Sequence, residues 1–176
     1  MEIKEIESYI SKIPDYPKPG ILFYDISTLI SNNKAFSSSI VKLVDVVQNY
    51  KFDLVASIDA RGFLFGSVIA YSLNKGLVMI RKKNKLPGKK ISYEYELEYG
   101  RDTLEINTEA KGKSFLLVDD LLATGGTANA AIELLKKAGG KTSCFLSLIE
   151  LTFLNGRKKI PVPMESLIQY WNDKST

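Results

Sequence analysis

The sequence predicts an α/β fold with a central, mainly parallel sheet flanked by helices. Four continuous apolar runs are typical of strands buried on both faces. They occur at 54–58, 77–80, 115–118 and 145–149. Stretches with apolar residues at helical spacing lie between them, most clearly from about 127 to 138, where Gly139 and Gly140 end the helix. Strands that alternate with helices along a chain favour a parallel sheet.

The length of 176 residues suits one compact domain, so we expect a single domain over 1–176. Two regions interrupt the alternation of strands and helices. One is proline-rich, at 14–20, and the other is a basic run at 81–90 that leads into alternating Tyr and Glu residues. In a strand, that alternation would place the carboxylates on one face and the apolar side chains on the other.

The composition excludes several kinds of catalytic site. The chain has no histidine, which removes imidazole bases, Ser-His-Asp arrangements and zinc sites that need histidine. Any general acid or base must therefore be a carboxylate, a lysine or a tyrosine. The single cysteine, Cys144, lies in an apolar run and is expected to be a buried, inert thiol.

The N-terminal residues alternate charge with isoleucine and lack the apolar stretch of a secretory signal. No run approaches the ~20 apolar residues of a membrane span. We therefore expect a cytoplasmic protein with no membrane partner. The net charge of +4 would suit nucleic acid, a membrane or an anionic small molecule, and charge alone does not choose among them.

The most informative segment is 115–127, which combines a strand, two aspartates, a glycine turn and the start of a helix. Ligands of open α/β sheets bind beyond the carboxyl ends of the strands. A helix N-terminus there offers unpaired N–H groups and a positive dipole to a phosphate. Gly125 and Gly126 would permit close approach, and Thr124 and Thr127 would add hydroxyl donors.

The acidic pair in this segment, Asp119 and Asp120, cannot bind a phosphate directly. Both side chains are suited to accept hydrogen bonds from sugar hydroxyl groups. An isolated Asp-Asp pair would more simply cap a turn. Next to a glycine turn and a helix start, the pair favours a sugar phosphate as the ligand.

This segment resembles the phosphoribosyl pyrophosphate motif of the type I phosphoribosyltransferases. Further segments are similar to the members of that family that act on adenine, and the resemblance spans roughly 13–170. These segments are 19–23, 59–66, 81–88 and 97–100. The resemblance implies the fold of that family, with a small N-terminal hood at about 1–32 and a mobile, hairpin-like flap at about 81–106.

The resemblance also implies which residues bind phosphoribosyl pyrophosphate. Asp119 and Asp120 would hold the ribose hydroxyl groups. The 5-phosphate would be bound by Ala123, Thr124, Gly125, Gly126 and Thr127. Pyrophosphate would be bound by Asp59, Ala60, Arg61, Arg81, Lys82, Lys83 and Lys85. Without the resemblance, Arg61 could equally be structural and the cations could form a solvated charge run.

An adenine pocket is implied at Leu22, Phe23 and Arg61, where apolar side chains would sandwich a flat purine. Read alone, Leu22 and Phe23 would be ordinary core residues. The resemblance picks out Glu98 as a catalytic residue together with Arg61. Glu98 would handle a proton at the purine imidazole ring or stabilise positive charge at the anomeric carbon.

Three positions depart from the pattern of the family. Tyr24 occupies a position where an arginine is expected, Thr28 replaces an expected proline, and Lys83 stands where arginine is common. The tyrosine matters most, because it cannot form the bidentate ion pair of an arginine. These departures concern pocket packing and dimer contacts rather than the phosphate-binding turn.

The expected reaction is the transfer of a 5-phosphoribosyl group from phosphoribosyl pyrophosphate to adenine, as in purine salvage. Mg²⁺ would be the cofactor, held mainly by the substrate, and the enzyme would be a homodimer. One alternative is an enzyme for another purine or a pyrimidine. Another is a non-catalytic sensor of phosphoribosyl pyrophosphate that contacts DNA. No stretch of helix-turn-helix length precedes residue 13, so no nucleic-acid partner is expected.

Overall fold

The computed structural model describes residues 1–97 and 100–172. Helices and strands alternate along most of this length. In chain order the elements are α1 (Ile3–Glu7), β1 (Ser11–Ile13), β2 (Phe23–Asp25), α2 (Ser27–Ser31), α3 (Asn33–Val46), β3 (Leu54–Ile58), α4 (Gly62–Ser72), β4 (Gly76–Lys82), β5 (Ile91–Leu97), β6 (Gly100–Ile106), β7 (Ser114–Leu122), α5 (Gly126–Lys137), β8 (Lys141–Leu151) and β9 (Met164–Tyr170). Two 3₁₀ turns, Thr152–Leu154 and Gly156–Lys159, lie between β8 and β9.

Seven strands form the central sheet, in the order β5-β6-β4-β3-β7-β8-β9. The five strands from β4 to β9 in this order pair in parallel. β5 and β6 extend the sheet as an antiparallel pair next to β4. The predicted mainly parallel sheet is therefore confirmed, and its antiparallel edge is the hairpin expected in the flap.

Strand β7 is buried on both faces of the sheet. Leu116 and Val118 belong to one core with α3 and α4, whereas Phe115 and Leu117 belong to a second core with α5. Successive side chains of a strand point to opposite faces, and each of these four is at most 1% exposed. A continuous apolar run is the expected signature of such a strand.

Strand β4 differs from that expectation. Val78 and Ile80 are buried, but Leu77 and Met79 are 37% and 43% exposed. The prediction of burial on both faces is wrong for β4, because the helices on one side of the sheet leave these two side chains uncovered. The result is an exposed apolar strip on an otherwise packed strand.

The N-terminal elements form a separate layer beside the main sheet. β1 and β2 pair antiparallel, with Ile13 opposite Phe23. Tyr24 points into the core and packs against Tyr170 of β9, with ring centroids 4.4 Å apart. Where the family pattern leads one to expect an arginine, this chain therefore has an aromatic pair.

The β5–β6 hairpin has one buried and one exposed face. Tyr95 is 8% exposed, whereas Glu94 and Glu96 are exposed, in agreement with the predicted alternation. Glu98 lies outside the described residues. Cys144 is buried in the core and unpaired, as expected. Within 1–97 and 100–172, no helix has the length and apolar character needed to cross a membrane.

Candidate active site

Two adjoining cavities lie at the carboxyl ends of β3 and β7. The polar cavity, of about 320 Å³, is lined by the ends of these strands and by the turn that enters α5. The apolar cavity, of about 420 Å³, lies between the N-terminal layer and the end of β8. Both are lined by Arg61, Leu121, Ala123 and Thr124. The two cavities therefore share a wall.

The turn before α5 has the geometry of an anion site. Gly125 is the N-cap of α5 with φ of 80°, a left-handed conformation that glycine adopts without strain. No side chain caps this helix end, so its first N–H groups can donate to a ligand. All five residues expected to bind the 5-phosphate, from 123 to 127, line the polar cavity.

The acidic pair lies beside this turn, on the last residues of β7. The Asp120 N–H donates to Asp119 Oδ1 over 2.9 Å, and Asp120 is 6% exposed. Burial raises the pKa of Asp119 well above its usual range, and the neighbouring Asp120 charge raises it further. Burial also raises the pKa of Asp120, and the positive charge of Arg61 partly offsets that rise.

Arg61 connects the two cavities. Its Nη2 lies 2.8 Å from Asp120 Oδ2 in the polar cavity. On the other side, the guanidinium carbon lies 5.1 Å from the centre of the Phe23 ring, within cation–π range. Arg61 was expected to contact both pyrophosphate and base, and it borders both cavities.

Asp59, which directly follows β3, forms ion pairs with two cations of the basic run. Arg81 Nε donates to Asp59 Oδ2 over 3.0 Å, and Lys85 Nζ lies 3.4 Å from the same oxygen. Burial alone would raise the pKa of Asp59, but these cations and the Lys82 N–H hold it below its usual range. The peptide bond between Asp59 and Ala60 is cis.

The cations expected to bind pyrophosphate therefore differ in their placement. Arg61 and Lys82 line the polar cavity, together with Asp59 and Ala60. Arg81 and Lys85 instead pair with Asp59, outside the lining of that cavity. Lys83 is exposed. Pyrophosphate binding by all of these residues stays a prediction.

The apolar cavity contains both side chains expected to bind the base, Leu22 and Phe23. The edge of the Tyr16 ring meets the Phe23 ring, with centroids 5.0 Å apart. Sequence reasoning missed the opposite wall, which is formed by Leu151, Phe153 and Leu154. Their position just after a buried strand was the available signal, because strand ends line such sites.

A hydroxyl network on the flap side was also missed. Tyr95 of β5 lies opposite Asp102 of β6, and its hydroxyl oxygen is 3.3 Å from Thr127 Oγ1. Thr127 belongs to the turn before α5, residues 123–127, which is called the phosphate turn below after the ligand expected there. Lys82 donates to the Tyr95 hydroxyl over 3.0 Å and also contacts the Asp102 carboxylate. The alternation that buries Tyr95 was the signal that could have found it.

The acidic pair is the candidate protein contact for a divalent metal. Carboxylate oxygens suit Mg²⁺, and Asp119 and Asp120 both line the polar cavity. No group of three or more potential metal ligands occurs within the described ranges. These residues fit a metal whose remaining ligands come from a bound phosphate compound and water.

The chain is similar to known proteins over most of its length. A family model described as "Phosphoribosyl transferase domain" matches residues 24–164. The adenine phosphoribosyltransferase of Rhodospirillum centenum is 48% identical over 168 residues, which cover 94% of this chain and 98% of that protein.

Solved structures agree with this similarity. Adenine phosphoribosyltransferase from Thermoanaerobacter pseudethanolicus superposes with a TM-score of 0.93 at 48% identity, covering 96% of this chain and all of the other. The Giardia lamblia enzyme, solved with 9-deazaadenine, has a TM-score of 0.91 at 33% identity, covering 98% of this chain and 99% of the other.

Proposed function

The chain belongs to the phosphoribosyltransferase family, and from this premise we propose that it transfers the 5-phosphoribosyl group of phosphoribosyl pyrophosphate to adenine. The adenine N9 forms a bond to C1 of the ribose while the bond from C1 to the pyrophosphate oxygen breaks. The N9 proton is lost, and the products are AMP and pyrophosphate. The observation that carries this proposal is the polar cavity joined to an apolar cavity through Arg61.

The polar cavity suits the ribose 5-phosphate portion of the substrate. The N–H groups at the start of α5 donate to the 5-phosphate, and the hydroxyl groups of Thr124 and Thr127 add further donors. Asp119 and Asp120 accept hydrogen bonds from the ribose hydroxyl groups. Because all these groups are preorganised around one cavity, binding holds C1 in place for attack.

The apolar cavity suits the base. Phe23 offers an aromatic face, Leu22 and Leu154 offer apolar contact, and a flat purine gains both burial and stacking there. Arg61 lies between this cavity and the acidic pair. From there its positive charge stabilises the negative charge that develops on the departing pyrophosphate. Lys82 reaches the same region from the end of β4.

Glu98 is proposed to handle a proton on the purine or to stabilise positive charge at C1. Support for this role comes from the family pattern at 97–100.

Mg²⁺ is proposed as the cofactor. When bound, it supplies positive charge that neutralises the pyrophosphate oxygens as they leave. Asp119 and Asp120 would hold it through the ribose hydroxyl groups or bound water. The chain's own part is to orient the ribose and keep water away from C1.

A homodimer is proposed as the working form, and the cytoplasm as its location. Support for the homodimer comes from exposed apolar side chains on α4 and β4, where Tyr71 is 87% exposed and Leu64, Leu77 and Met79 are 37–43% exposed. Single exposed apolar residues are normal, but a group on neighbouring elements is typical of an interface. Sedimentation at several concentrations would test this assembly.

The test of the reaction is pyrophosphate release by the purified protein with Mg²⁺ and phosphoribosyl pyrophosphate. Adenine, hypoxanthine, guanine, xanthine and uracil are compared in parallel, and release with adenine alone is expected. Asp120→Asn serves as the matched inactive control. Release with another base would overturn the substrate assignment. Tight phosphoribosyl pyrophosphate binding without release would favour the sensor.

A further inference from the structure

Three polar side chains outside the phosphate turn join it to the flap hairpin. Lys82 ends β4, Tyr95 lies in β5, and Asp102 lies in β6. Lys82 Nζ donates to the Tyr95 hydroxyl over 3.0 Å, and that hydroxyl lies 3.3 Å from both Asp102 Oδ2 and Thr127 Oγ1. Tyr95 is 8% exposed, so its hydroxyl depends on these protein partners.

The number of hydroxyl hydrogens limits which hydrogen bonds can form at the same time in this cluster. A tyrosine hydroxyl has one hydrogen to donate and can accept two hydrogen bonds. Tyr95 accepts from Lys82, and its one hydrogen can go to Asp102 or to Thr127, but not to both. The hydroxyl of Thr127 likewise donates either to Tyr95 or to a ligand in the polar cavity.

A phosphate at the turn would select one of these arrangements. Thr127 would donate its hydrogen to a phosphate oxygen, and its own oxygen would then accept the hydrogen of Tyr95. The result is a chain in which Lys82 donates to Tyr95, Tyr95 to Thr127 and Thr127 to the phosphate. Hydrogen bonds aligned in this way polarise and strengthen one another.

We propose that Tyr95 is a positioning residue that relays the positive charge of Lys82 to the 5-phosphate through the Thr127 hydroxyl. This inference rests on the proposed function, because it requires a phosphate at the turn before α5. Its other requirement is that Lys82 carries its charge at neutral pH.

The surroundings of Lys82 meet that requirement. Burial by itself would lower the pKa of Lys82, but its hydrogen bonds with Asp102 and Tyr95 raise it above the ordinary value. Asp102 is held in its charged form by the same contact, since its pKa is lowered by Lys82 despite burial. The ammonium group has three hydrogens, two of which go to these partners, so one remains for the cavity.

The first test is Tyr95→Phe, which removes only the hydroxyl group. Titration calorimetry with ribose 5-phosphate should show a roughly 3- to 10-fold weaker affinity, the size expected for one lost hydrogen bond. The KM for adenine should not change. The matched control is Tyr93→Phe, two residues earlier on the same strand, which should bind ribose 5-phosphate like the wild type.

The second test separates a charge relay from simple packing. Lys82→Gln keeps a hydrogen-bond donor but removes the charge, and it should also weaken ribose 5-phosphate binding. In a double-mutant cycle, its effect should be at least 3-fold smaller when combined with Tyr95→Phe, because the relay is already broken. A packing role for Tyr95 would leave the two effects additive.

The outcomes distinguish this inference from the proposed function. If the wild type binds ribose 5-phosphate and makes AMP while Tyr95→Phe binds it equally well, the relay is wrong and the function stands. Additive effects in the cycle would also overturn the relay. If the wild type binds no ribose 5-phosphate, the proposed function fails and the relay fails with it.

Discussion

The backbone of Gly156 lies directly against the backbone of Gly125. A β-carbon on Gly125 would overlap the Gly156 carbonyl oxygen, and a β-carbon on Gly156 would overlap the Ala123 carbonyl oxygen. The second 3₁₀ turn between β8 and β9, Gly156–Lys159, therefore packs against the phosphate turn and supports it. Neither contact leaves room for a side chain.

Gly156→Ala should damage phosphate binding without contacting the ligand. The added methyl group must displace the turn at Ala123, and shifts of this kind cost ~10-fold or more in catalysis. We expect the KM for phosphoribosyl pyrophosphate to rise more than the KM for adenine in steady-state assays. As a control, Gly112→Ala strains a glycine with φ of 70° in open space and should change stability but neither KM.

Glu150 should make stability depend on pH through its contact with Arg157. Arg157 Nε donates to Glu150 Oε1 over 2.9 Å, and Ser166 donates to the same carboxylate. Burial would raise the pKa of Glu150, but these donors lower it below its ordinary value. A lowered pKa adds stability above the ordinary pKa of Glu, and this is lost as the pH falls through the folded-state value.

The stability difference between wild type and Glu150→Gln should therefore be about 1 kcal/mol at pH 7 and shrink toward pH 3. Urea unfolding at several pH values measures it. Glu109→Gln, which removes an exposed carboxylate, corrects for the change in net charge. A difference that stays constant with pH would contradict the lowered pKa.

Asp119→Asn should make the folded protein more stable and the enzyme less active. The pKa of Asp119 is raised by burial and by Asp120, so its charged form destabilises the folded protein at neutral pH. Removing the charge should therefore raise the free energy of unfolding at pH 7, and this gain should vanish in acid, where Asp119 is protonated in both states. The kcat/KM for phosphoribosyl pyrophosphate should fall by at least ~10²-fold.

Asp53→Asn provides the contrast to this prediction. The pKa of Asp53 is lowered by its hydrogen bonds to the Ser114 backbone and hydroxyl, so this substitution should destabilise the protein at pH 7. Its activity should be unchanged because Asp53 and Ser114 lie at the amino ends of β3 and β7, whereas the cavities lie at the carboxyl ends of these strands. Stability changes of the same sign in the two variants would refute the electrostatic explanation.

Phe23→Leu should affect the base and not the sugar phosphate. Loss of stacking should raise the KM for adenine about 5- to 10-fold, with the KM for phosphoribosyl pyrophosphate within about 2-fold of wild type. Ile3→Ala, at an exposed position on α1, is the control. Equal increases in both KM values would place Phe23 outside the base site.

Glu98→Gln should lower kcat by ~10²- to 10⁴-fold if Glu98 acts as a general acid or base. Circular dichroism and thermal unfolding should match the wild type. Glu94→Gln, which changes an exposed carboxylate four residues earlier in the chain, should retain full activity. Near-normal turnover in Glu98→Gln would remove this residue from the mechanism.

The sequence alone was sufficient to predict the elements that are specified by residues adjacent in the chain. The run at 115–118 predicts a buried strand because its own residues are apolar, and the helix predicted at 127–138 is observed at Gly126–Lys137. The phosphate turn was predictable for the same reason, since glycines, threonines and the acidic pair are contiguous.

Features that depend on distant segments were not predictable in this way. Leu154 lines the apolar cavity, and Gly156 packs against the turn before α5, only because β8 lies beside β7 in the sheet. The exposure of Leu77 and Met79 depends on how far the helices extend over β4. Arg81 and Lys85 read as ligand-binding cations, but their pairing with Asp59 arises from the meeting of β3 and β4.

The shared wall at Arg61 has a consequence for inhibitor design. Two weak fragments, one aromatic and one anionic, can be joined by a short linker because the two cavities adjoin and share Arg61, Leu121, Ala123 and Thr124 in their linings. Tethering makes the second contact intramolecular, so affinity can rise 10²- to 10⁴-fold without any new interaction. A linker that is too long would lose most of that gain.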